Sequence, residues 1–355
     1  MERSTTVSVG VRAIDVGYFN VKYTKGRKAA GDSSTIDVGI YPSLAPQALA
    51  SDLNLANGPG RADACTVNVR GVNYVVGPGA IYYTSGTEPR PVDPEYCQTD
   101  KYYALMLGAM HYMAKDAGAR QDFAIDTLVL GLPLNTFHRH AARLEERMRG
   151  EHFIGTSDSK GLRRITIGTS IVRVQPFGGL VNFGMTRRAQ LDGWTLVLDP
   201  GGGTLDWFMS HGQVPNWRRS GAYHKAMLQC AYAVADRINP SWKTQFEVVQ
   251  AIDDALRTNA ASFTVGARQF ELSAYRSAID AVLHESVQAM LDCTGPLDAV
   301  KRVLLTGGGA TVFHEYLART IPTLAPLMEI DTDPIFSNVR GFQILGEVLH
   351  RGSAR

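Results

Sequence analysis

The chain has 355 residues, 45% of them apolar and 20% charged, with a formal net charge of +2. That composition excludes disordered and fibrous classes, and the length suits two globular domains. A nearly balanced charge gives no general attraction for nucleic acid or a membrane surface, so direct binding to either is not expected.

From Met1 to Gly10 there is one basic residue, Arg3, and no apolar core, and no apolar run reaches the roughly eighteen residues of a membrane span. The expectation is a cytoplasmic protein. Val7 to Tyr23 reads as two β-branched runs around a turn at Asp15-Val16-Gly17, and further strands are expected at Thr66 to Val69 and Asn73 to Val76, with Gly71 between them. Lys101 to Ala117 has helical spacing, Asp126 to Gly131 reads as a buried strand ending before Pro133, and His138 to Arg149 reads as a charged helix. Trp194 to Met209 repeats the hairpin pattern of the first segment. Helices follow at Ala222 to Ile238, Gln245 to Arg257 and Leu272 to Leu291, then a strand at Arg302 to Leu305, a loop at Thr306 to Ala310, a helix from Thr311 and a last helix from Val339 to His350. Two halves that each open on a hairpin around an aspartate and glycine point to a duplicated unit. Cys65, Cys97, Cys230 and Cys293 lie far apart and lack metal or redox spacing, so they read as reduced thiols.

Three segments carry chemistry. In Asp15-Val-Gly-Tyr-Phe-Asn-Val-Lys22, Gly17 lets backbone approach a phosphate, while Asn20 and Lys22 can donate to it. Taken alone, that segment reads first as an ordinary hairpin turn with a surface lysine. Asp199-Pro-Gly-Gly-Gly-Thr-Leu-Asp206 is more specific, because Gly201, Gly202 and Gly203 lose more chain entropy than a simple turn requires and expose backbone amides beside Thr204. An aspartate at a strand end there could hold the water shell of Mg²⁺ and orient an attacking water; a flexible turn with capping carboxylates is the other reading. Val303-Leu-Leu-Thr-Gly-Gly-Gly-Ala310 ends a short strand in Gly307, Gly308 and Gly309 and opens a helix, a place for a base or ribose or simply a glycine-rich helix start. Neither a dinucleotide fingerprint nor a lysine phosphate loop of the P-loop type occurs.

In order and spacing these segments resemble the first phosphate loop, second phosphate loop and adenosine loop of the actin, sugar-kinase and heat-shock chaperone superfamily. Val129-Leu-Gly-Leu-Pro133 resembles its first connecting strand, and Gly341 matches the small residue where its two connecting helices cross. Within the superfamily, Asp15 to Lys22, Gly131 to Pro133 and Gly201 to Asp206 are similar to the ParM/StbA plasmid-partition actins, the class that includes the D proteins of PRTRC systems. The resemblance implies an α/β, actin-like, duplicated ribonuclease H-like fold of two domains, with mixed sheets flanked by helices and a nucleotide cleft between them. The expected division is residues 1–180 and 181–355, the last helix returning to the first domain. The resemblance further implies ATP/ADP and Mg²⁺ as ligands, Asp15 and Asp199 facing the metal through water, and Asp199 with Gln175 placing the hydrolytic water. Filament formation by self-association and a DNA-binding adaptor are the implied partners. Gly221, in Gly221-Ala-Tyr-His-Lys225, stands where a family helix opens near the ribose, although an unremarkable helix start fits equally well.

Two departures bear on activity. Tyr18-Phe19 replaces small hydroxyl residues, and Val174-Gln-Pro-Phe-Gly-Gly179 offers Gln175 as its only amide with no glutamate beside Pro176. Hydrolysis is therefore expected to be slow. A small-molecule kinase of the same fold, with Asp199 as base, and a non-hydrolysing nucleotide-binding scaffold are the alternatives. His138 and His140, the pairs Asp253-Asp254 and Glu145-Glu146 read as solvated helix faces, and Trp207 and Phe208 as core.

Overall fold

A computed structural model describes residues 6–30, 33–49, 62–87, 92–155, 162–187 and 191–353, so the first residues of the N-terminal segment, Met1 to Thr5, lie outside the described residues. Val7–Val16 (β1) is buried through its second half, as a strand with neighbours on both sides must be. It turns into Asn20–Ala30 (β2), antiparallel with Asp15 opposite Lys22, and Ser33–Pro42 (β3) extends the meander. Cys65–Val69 (β4) and Val72–Val76 (β5) form a separate hairpin, with Gly71 at φ 85° in its turn. Asp100–Asp116 (α1) is capped by the Thr99 hydroxyl, which accepts from the Tyr102 amide at 3.1 Å, and covers the first sheet. Asp122–Leu132 (β6) pairs in parallel with β1, and Arg163–Val174 (β8) in parallel with β6, while Gly150–Ile154 (β7) closes the edge antiparallel to β8. The sheet order is β3-β2-β1-β6-β8-β7.

The second sheet repeats the plan. Trp194–Pro200 (β9) and Leu205–His211 (β10) form its hairpin, and Val214–Pro215 (β11) and Gly221–Tyr223 (β12) pair with β10. Val300–Leu305 (β15) lies parallel to β9 and Met328–Ile330 (β16) parallel to β15. Ser262–Val265 (β13) and Arg268–Glu271 (β14) make a small hairpin between helices. A central strand running into a hairpin on one side, with parallel neighbours on the other, recurs in both sheets; the duplication suggested by the two loops is real at the level of topology.

The helices are Leu134–Met148 (α2), Gln175–Arg187 (α3), Met227–Ile238 (α4), Phe246–Arg257 (α5), Arg276–Thr294 (α6), Ala310–Thr320 (α7) and Ser337–Ser353 (α8). Two of them tie the lobes together. Leaving the first sheet after β8, α3 packs on β9 and β10; α8 leaves the second sheet and packs on β1 and β6. Where they cross, a Cβ on Gly341 would stand 1.7 Å from the Gly178 carbonyl oxygen, so this backbone contact admits only glycine, as the family resemblance implied for Gly341.

Some elements differ from expectation. The helix expected from His138 starts at Leu134, because the Leu134 amide donates to Asp206 Oδ1 of the other lobe at 2.7 Å and so is capped from a distance. Residues 221–223, expected to be helical, form β12 against β10, a nonlocal pairing that overrides local helix propensity, and the helix begins at Met227. The first turn expected of α6, Leu272–Tyr275, is a 3₁₀ helix. Trp207 and Phe208 are core, and all four cysteines are free thiols.

Candidate nucleotide site

The turn after β1 closes with the Gly17 amide donating to Asn20 O at 3.0 Å, which brings Asp15 and Lys22 side by side on adjacent strands. Lys22 Nζ donates to Asp15 Oδ2 at 2.9 Å, and Gln175 Nε2, at the start of α3, donates to Asp15 Oδ1 at 2.6 Å. Asp15 is only 1% exposed, so two donors are what allow a carboxylate to lie there. The loop after β9 closes with the Gly201 amide on Thr204 O at 2.8 Å, and the Gly201 and Gly202 carbonyls accept from Met227 and Leu228 at the start of α4. Gly307, at φ 71°, lies so close to Asp199 that a Cβ there would fall 2.2 Å from Asp199 Oδ1.

These segments converge on one cavity of about 850 Å³, counting its open mouth, which is within the range of small-molecule sites. Asp15, Gly17, Asn20, Lys22, Gln175, Asp199, Gly201, Gly202, Gly203, Thr204, Gly307 and Gly308 all line it. Gly221 and Gly309 are not among the lining residues. Gly221 lies on β12 under the Trp207 ring, and the Gly309 amide donates to Pro200 O at 2.9 Å, so each serves packing instead.

Burial pushes the Asp199 carboxyl up to about 6, helped by the negative charge of Asp15 and opposed by Asn338 Nδ2, which donates to Asp199 Oδ2 at 2.7 Å. Asp206, 1% exposed, is pushed by burial up to about 7 although Thr204 Oγ1 and the Leu134 amide donate to it. It is a bolt between the lobes rather than a cavity residue.

Several residues belong to the site that the sequence reading assigned elsewhere or did not single out. Asp253, read as part of a solvated helix face, is 1% exposed, lines the cavity from α5 and accepts from Arg257 Nε at 2.8 Å; Arg257 lines it too. His140 is likewise buried, 3.4 Å from Glu95, and Glu145 accepts from the Val172 amide at 2.7 Å, because α2 turns these residues inward. Tyr18 and Phe19 form a bridge between the loops: Phe19 is buried in the core of the second lobe against Gly202, and Tyr18 covers Gly203 while its hydroxyl donates to Asp93 O at 2.8 Å.

Residues 13–178 match the family model for the N-terminal domain of actin-like proteins. Structural relatives span nearly the whole chain. The chain has the actin-like fold. Apo psk41 ParM shares 17% identity and a TM-score of 0.68, with 97% of this chain and 99% of that chain covered. An archaeal actin homologue, Ta0583, in complex with ADP shares 17% identity and a TM-score of 0.69 over 96% of this chain and 100% of that one. A 15-stranded ParM filament from Clostridium botulinum shares 15% identity and a TM-score of 0.70 over 97% and 100%. No curated protein sequence matches this chain. Its cleft lies where its two lobes meet, and no helix among the described residues is long and apolar enough to cross a membrane.

Proposed function

We propose that this actin-like protein binds Mg-ATP in the cleft, hydrolyses it slowly and assembles into filaments that move or position plasmid DNA in the cytoplasm through a DNA-binding adaptor. The observation that carries the reading is the meeting of two hairpins, one per lobe, each delivering an aspartate and bare glycine backbone to the same cavity. The ADP complex of the archaeal homologue supports nucleotide binding, and the ParM filament supports self-assembly. ATP as the preferred nucleotide, the adaptor and the cytoplasmic location rest on the family resemblance.

Two carboxylates are the donor set that Mg²⁺ uses when water and phosphate oxygens complete its octahedron, so Asp15 and Asp199 fit a metal held through water. When bound, the ion supplies charge neutralisation at the phosphates. The chain's own residues do the rest. Glycine backbone at Gly201 to Gly203 can donate to phosphate oxygens, and Lys22, steadied by Asp15, adds a point charge. Gln175 has committed its Nε2 to Asp15, which leaves the carbonyl Oε1 to accept from a water. An amide orients a water without taking its proton. Asp199, a carboxylate lining the same cavity, is the group able to do so.

The same commitment of Gln175 favours one other reading, a scaffold that binds nucleotide without hydrolysing it. High-speed pelleting with and without ATP, run beside phosphate release, separates them: pelleting with slow release supports the proposal, and pelleting without release supports the scaffold. Monomers in every nucleotide and salt condition would remove the filament reading. A second expectation concerns Gly202, where a Cβ would stand 2.5 Å from a Phe19 ring packed in the second core. Gly202→Val is expected to lose measurable Mg-ATP affinity in calorimetry, and wild-type affinity would move the phosphates away from this loop.

A further inference from the structure

The two connecting helices carry the same short pattern. Gln175-Pro-Phe-Gly178 opens α3 and Asn338-Val-Arg-Gly341 opens α8, with an amide side chain three residues before each glycine of the crossing. The amides do the same work on opposite sides: Gln175 Nε2 donates to Asp15 of β1 at 2.6 Å, and Asn338 Nδ2 donates to Asp199 of β9 at 2.7 Å. β1 and β9 are the corresponding central strands of the two sheets, and α3 and α8 are the helices that leave those sheets for the opposite lobe.

We propose that Asn338 is a positioning residue, the counterpart of Gln175 in the duplicated fold, which fixes the Asp199 carboxylate toward the cleft and ties its placement to the crossing of the two lobes. The proposal rests on the nucleotide-site reading above and names a residue that this reading lacked. Three features support it. Asn338 is 5% exposed and borders the cavity, so its hydrogen bond to Asp199 is shielded from competing solvent. Its Oδ1 is buried with no hydrogen-bond partner among the described residues, a cost that an amide kept only for helix packing would not need to bear. The start of α8 is also held rigidly: Asp331 accepts from Ser337 Oγ at 2.6 Å and from Asn182 Nδ2 of α3 at 2.7 Å. A side chain on a backbone fixed in this way can place a carboxylate, and a shift of the crossing would be felt at both Asp15 and Asp199.

The test is a double-mutant cycle on Mg-ATP affinity and phosphate release, using Asn338→Ala, Asp199→Asn and the combined variant. Asn338→Ala is expected to weaken Mg-ATP binding about tenfold or more, the scale of a lost hydrogen bond to a charged group. The double variant is expected to bind no worse than Asp199→Asn alone, because Asn338 acts through that carboxylate. Glu347→Ala, which removes the Arg27 ion pair at the far end of the same helix, is the packing control and is expected to bind as wild type. Wild-type affinity in Asn338→Ala, or losses that simply add in the double variant, would overturn the positioning role while leaving the nucleotide site standing. A wild-type protein that binds no nucleotide would overturn both, and one that binds without releasing phosphate removes only hydrolysis, with the cycle then decided on affinity.

Discussion

Gly341→Ala is expected to destabilise the protein by about 3 kcal/mol or more, at or beyond the top of the usual overpacking range. The added methyl would stand 1.7 Å from the Gly178 carbonyl oxygen and 2.5 Å from its carbon, and both are backbone atoms with no rotamer to adopt. Relief requires α3 and α8 to separate. The reciprocal face is equally tight, since a Cβ on Gly178 would lie 2.5 Å from Asn338 O. Because the residues holding Asp15 and Asp199 start these same helices, the fraction of variant that folds should also bind nucleotide poorly. Gly352→Ala provides the contrast: nothing lies within 4 Å of that position on the same helix, so the change should be neutral or raise stability by up to about 1 kcal/mol through helix propensity. Denaturant midpoints of the two variants decide the matter, and similar midpoints would mean that the crossing can relax.

The parts of the site legible in the sequence are those in which one contiguous segment does several jobs. Asp15 to Lys22 must turn, expose backbone and present charge within eight positions, and Asp199 to Asp206 must do the same, so both left a pattern of glycines and carboxylates. Asp253 and Arg257 left none, because acidic and basic residues four apart on a helix look alike whether the face meets water or a cleft, and only the docking of α5 decides. Asn338 reaches Asp199 across 139 positions of sequence, a separation over which no local pattern forms. Gly221 misled for a related reason: its three-residue strand exists only because β10 is there to pair with it. Tyr18 and Phe19 were visible as departures, but their role as a bridge into the second lobe depends on Gly202 and Gly203, which keep the opposite surface free of side chains.

Asp199 and Asp206 are expected to contribute less to the stability of the apo protein as pH rises from about 4 to 7. Folding raises the carboxyls of Asp199 and Asp206 to about 6 and about 7, above the ordinary carboxylate value near 4. Through that window the unfolded chain gives up these protons while the folded chain keeps them, so the stabilising contribution is complete at the acid end and is lost as pH climbs through the folded values. For Asp206 the full loss is on the order of 4 kcal/mol, at about 1.4 kcal/mol for each of the roughly three pH units of displacement. Asp206→Asn removes the titration and keeps the geometry: the Leu134 amide can still donate to Oδ1, and the Thr204 hydroxyl, which donates at 2.6 Å in the wild type, can rotate to accept from the new amide. The variant should therefore be markedly more stable than wild type at pH 8, with the advantage shrinking toward pH 4.5. Taking the difference between the two proteins at each pH cancels every other titrating group that the substitution leaves alone. Denaturant melts across the range supply that difference, and a constant offset between the two curves would show that Asp206 stays ionised in the folded protein and that its bond to Leu134 is worth more than its burial costs.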